Sequence, residues 1–491
     1  MKSVQSVSNS VLIQQPTTRS QMKIALLHYH LKPGGVTTVI QHQVEALKKD
    51  CSLLVLSGSP PSLPLPAPTH HISGIGYQND ANPAQDPQKV AQEIHRAIRN
   101  QWSKGCDLLH VHNPFLAKNS AFLDILKALQ ERGIPLFLQI HDFAEDGRPH
   151  AYFRGSYPHD CHYGVINSRD YQTLLKAGLK PQGLHKVFSP VRPLDITSRP
   201  SPGEGEILYP VRAIRRKNIG EAILLSLYLK SNPTLSITLP PNSPVDIAAY
   251  KGWKKFTLQN RLNIRFESGL DHDFAELVNS AQFLLTTSMT EGFGYTFLEA
   301  WTAGKLVWGR DLADITNDFK RKGLWLDHLY QKLLVPLSWI DSHCFFTRWK
   351  DCILANSAHF GLCFEEATID HMVEKMLDFG HIDFGLLDES FQKQILHTLL
   401  TEPEKKDRLT EIDPFFLQSF AIPADAHERI RHNRQIVSNE FNAGAYRENL
   451  LKTYQAVLRD TVKQRIDKHC LAASFFNLDS FSLLKWGRYV E

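Results

Sequence analysis

The chain has 491 residues, too many for one compact core and enough for two or three domains. Its 55 basic and 51 acidic residues leave a formal net charge of +4. That balance lacks the footprint of a nucleic-acid binder and excludes DNA or RNA as the expected partner. No stretch approaches the roughly 18 consecutive apolar residues of a membrane span. The seven cysteines (Cys51, Cys106, Cys161, Cys344, Cys352, Cys363 and Cys470) are odd in number and form no Cys-x-x-Cys. A reduced, cytoplasmic setting is therefore expected rather than a disulfide framework. His159, Asp160, Cys161 and His162 cluster, but their spacing matches no zinc pattern, and no metal site is expected.

Residues 1–21 are rich in Ser, Gln and Thr and read as a disordered leader. Residues 23–27 read as a strand, Pro33-Gly34-Gly35-Val36 as a turn, and 37–49 as a helix with Thr37 or Thr38 available as its cap. A second strand follows at 51–56. This unit opens a Rossmann-like domain. Gly34-Gly35 is a weak motif alone, but its place directly after the first strand favours a ligand-facing loop. Further strands at 107–112, 135–141 and 162–168 alternate with helices at 119–132 and 168–177, the last closed by Gly178. The alternation predicts a parallel sheet covered by helices on both faces, over residues 22–190. Residues 191–205, rich in Pro, Ser, Gly and Arg, read as a linker.

A second Rossmann-like domain is predicted over 206–440. Strands at 206–209, 235–239, 263–266 and 283–287 and helices at 219–229 and 273–280 make up its first half. Residues 320–440 show little strand pattern and read as a largely helical insertion. Residues 443–460 form an amphipathic helix, and the whole of 441–491 is expected to cross back and pack on the N-terminal domain.

The most informative segment follows the strand at 283–287. Glu291 and Glu299 stand eight positions apart across a glycine-flanked turn, and a helix runs from Thr296 to a stop at Gly304. A strand, a Gly-rich loop and a helix aim free backbone N–H groups and a positive helix end at one point, and the natural guest is a phosphate. Carboxylates beside that point suit hydroxyl groups. A nucleotide sugar carries both.

Glu291-Gly292-Phe293-Gly294-Tyr295-Thr296-Phe297-Leu298-Glu299-Ala300 resembles the signature of retaining family-4 glycosyltransferases of the GT-B fold, two Rossmann-like domains facing a cleft. The resemblance covers residues 22–318 and the closing helix. It implies that Glu291 contacts the donor sugar, that Glu299 holds the ribose hydroxyls, and that Gly292, Phe293, Gly294, Tyr295 and Thr296 meet sugar and phosphate. Val211-Arg212-Ala213-Ile214-Arg215-Arg216-Lys217-Asn218 is similar to the family's Gly-Arg-x4-Lys-Gly segment, with Val211 and Asn218 in place of glycines. It implies that Arg212 and Lys217 neutralise a donor diphosphate, with Arg215 and Arg216 as alternates. His141, at a strand end, resembles the family histidine that reaches the donor sugar. Gly34 and Gly35 join the expected donor-binding set. Arg310 and Asp314 are expected to face either the donor base or the insertion.

The implied activity is hexosyl transfer from a nucleotide-diphosphate sugar to an acceptor hydroxyl, retaining, by front-face displacement, with no cofactor beyond the co-substrate. A GT-B module that binds a nucleotide sugar or protein partner without catalysis is the alternative, and an epimerase or phosphorylase a third. Helix 119–132 sets Lys127 and Arg132 against Asp124 and Glu131. That is a poor membrane face, so the acceptor is expected to be a small polar metabolite or saccharide.

Overall fold

The computed structural model describes residues 21–61, 64–79, 82–194, 205–416 and 423–490. Most of the expected leader and residues 195–204 of the expected linker lie outside them.

Seven parallel strands form the N-terminal sheet among the described residues: β1 (Met22–His28), β2 (Cys51–Ser57), β3 (Thr69–His71), β4 (Leu108–His112), β5 (Leu136–Ile140), β6 (His162–Val165) and β7 (Leu184–Lys186), in spatial order β3-β2-β1-β4-β5-β6-β7. The central strands read as near-continuous apolar runs because helices cover both faces. β4 and β5 are buried along their whole length. The helix Gly35–Leu47 begins at Gly34 with no side-chain cap. Thr37 and Thr38, expected as caps, instead donate their hydroxyls to the carbonyls of Lys32 (2.6 Å) and Gly34 (3.2 Å).

The C-terminal sheet is also parallel: β8 (Ile207–Arg212), β9 (Leu235–Leu239), β10 (Ile264–Phe266), β11 (Phe283–Thr286) and β12 (Val307–Gly309), in order β10-β9-β8-β11-β12. The insertion is largely helical, with one short antiparallel pair among the described residues, β13 (Leu334–Pro336) and β14 (His381–Asp383). It is not an appendage. Trp349, Phe391 and Leu409 of the insertion share one hydrophobic core with Ile237, Leu285 and Trp301 of the donor-side sheet and its helices. Arg310, after β12, fastens the two: its guanidinium is bidentate to Glu221 (2.9 and 2.5 Å) and to Asp383 (2.8 Å twice). Tyr330 donates its hydroxyl to Glu221 at 2.6 Å. A buried charge set of this kind holds only when every partner is present. Arg310 therefore faces the insertion.

The two domains are joined side by side where Val191 N–H donates to the Phe441 carbonyl at 2.7 Å. The helix Ala443–Arg459 then lays Tyr446, Leu450, Tyr454 and Val457 on the N-terminal domain, and the helix Lys468–Phe475 adds Leu471 and Phe475 to that domain's core. The whole of 441–491 is expected on that domain, but the tail past Phe475 leaves it. Phe476, Phe481, Leu483 and Trp486 return to the C-terminal core, where Trp349 donates its indole N–H to the Phe481 carbonyl at 3.1 Å. The physical reason is an aromatic slot: the rings of Phe481 and Trp486 stack at 5.5 Å, and Trp349 stands edge-on to Phe481 at 6.0 Å.

Candidate active site between the two domains

The loop after β8 is built to hold one lysine. Thr287, at the end of β11, donates its hydroxyl to the carbonyls of Lys217 (3.2 Å) and Asn218 (3.0 Å), and the Tyr209 hydroxyl donates to the Lys217 carbonyl. Asn218 has φ 54°, in the left-handed region. Asn tolerates that region better than other non-glycine residues, which accounts for Asn218 at the expected glycine. From this loop the Lys217 ammonium pairs with the Glu291 carboxylate. Burial opposes ionisation of Glu291, but Lys217 and Arg216 outweigh it and hold the carboxyl below its ordinary value.

The three arginines of this segment part company. Arg212 donates from Nη1 to the Pro240 carbonyl at 3.0 Å, at the end of β9, and does not join the Lys217–Glu291 pair. Arg215 is structural: it is bidentate to Glu389 of the insertion (2.7 and 2.8 Å) and donates to the Leu483 carbonyl of the tail at 3.3 Å. Arg216 forms no side-chain hydrogen bond or ion pair among the described residues. Its pKa is lowered by burial and by Arg148, against Asp142 and Glu291. The cation coupled to Glu291 besides Lys217 is thus Arg216, not Arg212. Three consecutive basic residues contain that signal without ordering them.

The Glu291–Glu299 turn meets the N-terminal domain directly. Asn167 donates its amide to the Gly292 carbonyl at 2.9 Å. A Cβ on Gly292 would stand 3.0 Å from the His141 carbonyl, and a Cβ on Gly294, at φ +83°, would stand 3.0 Å from the Phe297 ring. Phe293 is buried against Tyr295, Phe319 and Phe441 and anchors the turn. The helix Thr296–Thr302 starts at Tyr295 without a side-chain cap. The Glu299 carboxyl, in the helix's first turn, accepts no hydrogen bond among the described residues, and burial raises it to about 7.

His141 lies opposite, at the end of β5. His112 Nδ1 and His141 Nε2 are 3.1 Å apart, and His112 Nε2 lies 2.8 Å from Gln43 Oε1. Gln43 Nε2 continues to His110 Nδ1 at 2.8 Å, which lies 2.8 Å from the Tyr454 hydroxyl of the crossing helix. A carboxamide oxygen only accepts, so His112 donates from Nε2, accepts at Nδ1 from His141, and leaves His141 Nδ1 as an acceptor. Burial keeps the chain neutral: it lowers His141 to about 4 and His110 to about 3. Gly34 and Gly35 stand exposed at the end of β1, where a Cβ would meet nothing nearer than 3.9 Å. The fold thus brings Glu291, Lys217, Gly292 and His141 together where the two domains meet, and leaves Arg212 aside.

No family model matches the chain. Mannosylglucosyl-3-phosphoglycerate synthase of Petrotoga mobilis is 27% identical over 527 aligned residues, covering 94% of this chain and 98% of the relative. A glycosyltransferase from Rickettsia africae superposes with a TM-score of 0.52 at 13% identity, covering 90% of this chain and all of that one. The fold is GT-B. TarM superposes at a TM-score of 0.50 and 8% identity, over 90% of this chain and 99% of its own. In a GT-B arrangement the carboxyl ends of both sheets open onto the interdomain cleft, where ligands of open parallel sheets bind.

Proposed function

We propose that this protein is a retaining glycosyltransferase that moves a hexose from a nucleotide-diphosphate sugar to a hydroxyl of a small soluble acceptor. The observation that carries the reading is the Lys217–Glu291 pair with the unpaired Arg216 guanidinium beside it. A diphosphate supplies the anion that Arg216 lacks, and it shares Lys217 with Glu291. Glu299, held without a partner at the start of its helix, takes the ribose hydroxyls, and Glu291 and the His141 Nδ1 acceptor take sugar hydroxyls. The amides of Gly292 to Thr296 face the sugar and phosphate, and Gly34 and Gly35 allow backbone approach from the other wall.

The chemistry is front-face displacement. The bond from the anomeric carbon to the diphosphate oxygen breaks, and the acceptor oxygen bonds to the same face of that carbon. The acceptor proton passes to the departing diphosphate oxygen. The protein's contribution is orientation and stabilisation of charge on the leaving group by Lys217 and Arg216. No protein nucleophile, metal or further cofactor enters this scheme. The Petrotoga relative is named for a mannosyl-glucosyl product built on 3-phosphoglycerate. An acceptor of that chemistry, a small glycoside of phosphoglycerate, suits the soluble acceptor proposed here.

The test is thermal stabilisation by UDP, GDP and ADP and their sugar forms, followed by transfer assays with the stabilising donor. A ligand that binds only the native state raises its stability. One base should raise the melting temperature, and Lys217→Ala should lower transfer by about two orders of magnitude or more while the fold survives. No shift with any nucleotide, or full turnover by the Lys217 variant, would defeat the reading.

A further inference from the structure

Opposite the Arg216 loop, the three loops of the N-terminal domain that follow β3, β4 and β5 are laced into one rim. Gln78 N–H donates to the Lys118 carbonyl at 2.8 Å, and Ala117 N–H to the Ala151 carbonyl at 2.8 Å. The Asp142 N–H donates to Asn113 Oδ1 at 3.0 Å. The rim gathers Tyr77, Lys118, Asp142, Arg148 and His150. Arg148 is neutralised by Asp142, at 2.6 Å. The Tyr77 ring packs edge-on against His30 at 4.9 Å, and the Lys118 ammonium lies 5.9 Å from its centroid.

Lys118 is half-buried, yet no carboxylate lies within ion-pair distance of it among the described residues. Its nearest charged neighbours are Arg148 and Asp142, and Asp142 is already committed. Burial, then Arg148, depresses its pKa against the pull of Asp142, so the site disfavours a bare cation. His150 feels the same crowd, with Lys118 and Arg148 against Asp246 of the C-terminal domain. Two cations of the site therefore stand without an ion-pair partner among the described residues, Arg216 on the donor wall and Lys118 on the facing wall. A donor diphosphate answers one of them.

We infer that Lys118, with Arg148 and the Tyr77 ring beside it, forms an anion subsite on the N-terminal wall that takes the phosphate of a phosphorylated acceptor. The inference rests on the transferase reading above and gives the acceptor a polarity: its charged end on the N-terminal rim, its reacting hydroxyl towards Glu291 and His141. Lys118 is then a specificity residue that decides which hydroxyl-bearing molecules are held, and takes no part in bond exchange.

Calorimetric titration of the full-length protein with 3-phosphoglycerate, and with glycerate as its phosphate-free counterpart, tests this. At millimolar concentration 3-phosphoglycerate should bind and glycerate should not. Lys118→Gln should weaken 3-phosphoglycerate binding about tenfold or more, as removal of a charged hydrogen-bond partner does. Lys118→Arg should recover most of it. Lys127→Gln, which changes a lysine paired with Asp124 on a surface helix, should change nothing. Equal binding by wild type and Lys118→Gln, or no binding by wild type, overturns the subsite. A nucleotide titration of the same samples separates the two failures: loss of nucleotide binding alone defeats the donor reading and leaves the 3-phosphoglycerate result to judge Lys118.

Discussion

Glu299 is a carboxyl group placed where ionisation is unwelcome until a ligand arrives. Its pKa is raised by burial from 4.5 to about 7, so between those values the folded state holds a proton that the unfolded state has released. Stability falls with pH wherever the folded state binds more protons. The penalty of the buried charge is therefore absent below 4.5 and complete above about 7. Glu299→Gln carries no such charge. Its melting temperature, relative to the parent, should rise across that window and level off above it, and a difference independent of pH would refute the assignment. Nucleotide affinity of the parent should rise through the same window, because ribose hydroxyls donate to the ionised form. Residues of this kind are legible in the sequence: two glutamates eight positions apart across a glycine-flanked turn stand out without reference to the fold. The division of labour between Arg212 and Arg216 is not legible. Which basic side chain turns into the cleft depends on the left-handed backbone at Asn218 and on Glu389 capturing Arg215, a partner 174 positions away.

At the scale of elements, the turn between β11 and its helix works by close approach. Gly294 holds φ +83°, and a Cβ there would press on Phe297 at 3.0 Å and on Ile315 at 3.1 Å. Gly294→Ala combines a disfavoured backbone with overpacking, each about 1–3 kcal/mol, so stability should drop by about 2–6 kcal/mol. The strain sits in the loop that carries Glu291, so transfer should fall further than global stability accounts for. Chemical denaturation beside turnover checks both, and a variant as stable as the parent would show that the turn relaxes freely. The regular elements near this turn are readable because their apolar runs are long and their stops are glycines, as at Gly304 with φ +69°. Others leave too faint a pattern. The helix Pro244–Gln259 buries only four of its sixteen residues, so its apolar face is narrow. β3 and β7 are three-residue edge strands, too short for a periodic signal.

At the scale of the whole molecule, the tail makes a second return between the domains. The helix Lys468–Phe475 belongs to the N-terminal core, and eleven residues past its end Trp486 belongs to the C-terminal one. Between them Lys485 pairs with Asp146, which Arg169 also holds at 3.1 Å. The returning segment lies behind the loop that presents Lys217, since the Leu483 carbonyl accepts from Arg215. The apolar cluster of the tail is plain in the sequence, but its wall is not, because hydrophobicity tells that a segment is buried and not against which surface. Trp486 fills its slot between Phe476 and Phe481 almost completely, at 6% exposure. Trp486→Ala removes a large ring from a packed core and should cost about 3–5 kcal/mol. The loss should be local. Hydrogen exchange should quicken in the insertion and in residues 215–217, and nucleotide affinity should fall with it, while β1 to β7 keep their protection. Equal loss of protection in both sheets would mean that the domains unfold as one unit, and the tail would then be a fastening for the whole molecule instead of a brace for its donor wall.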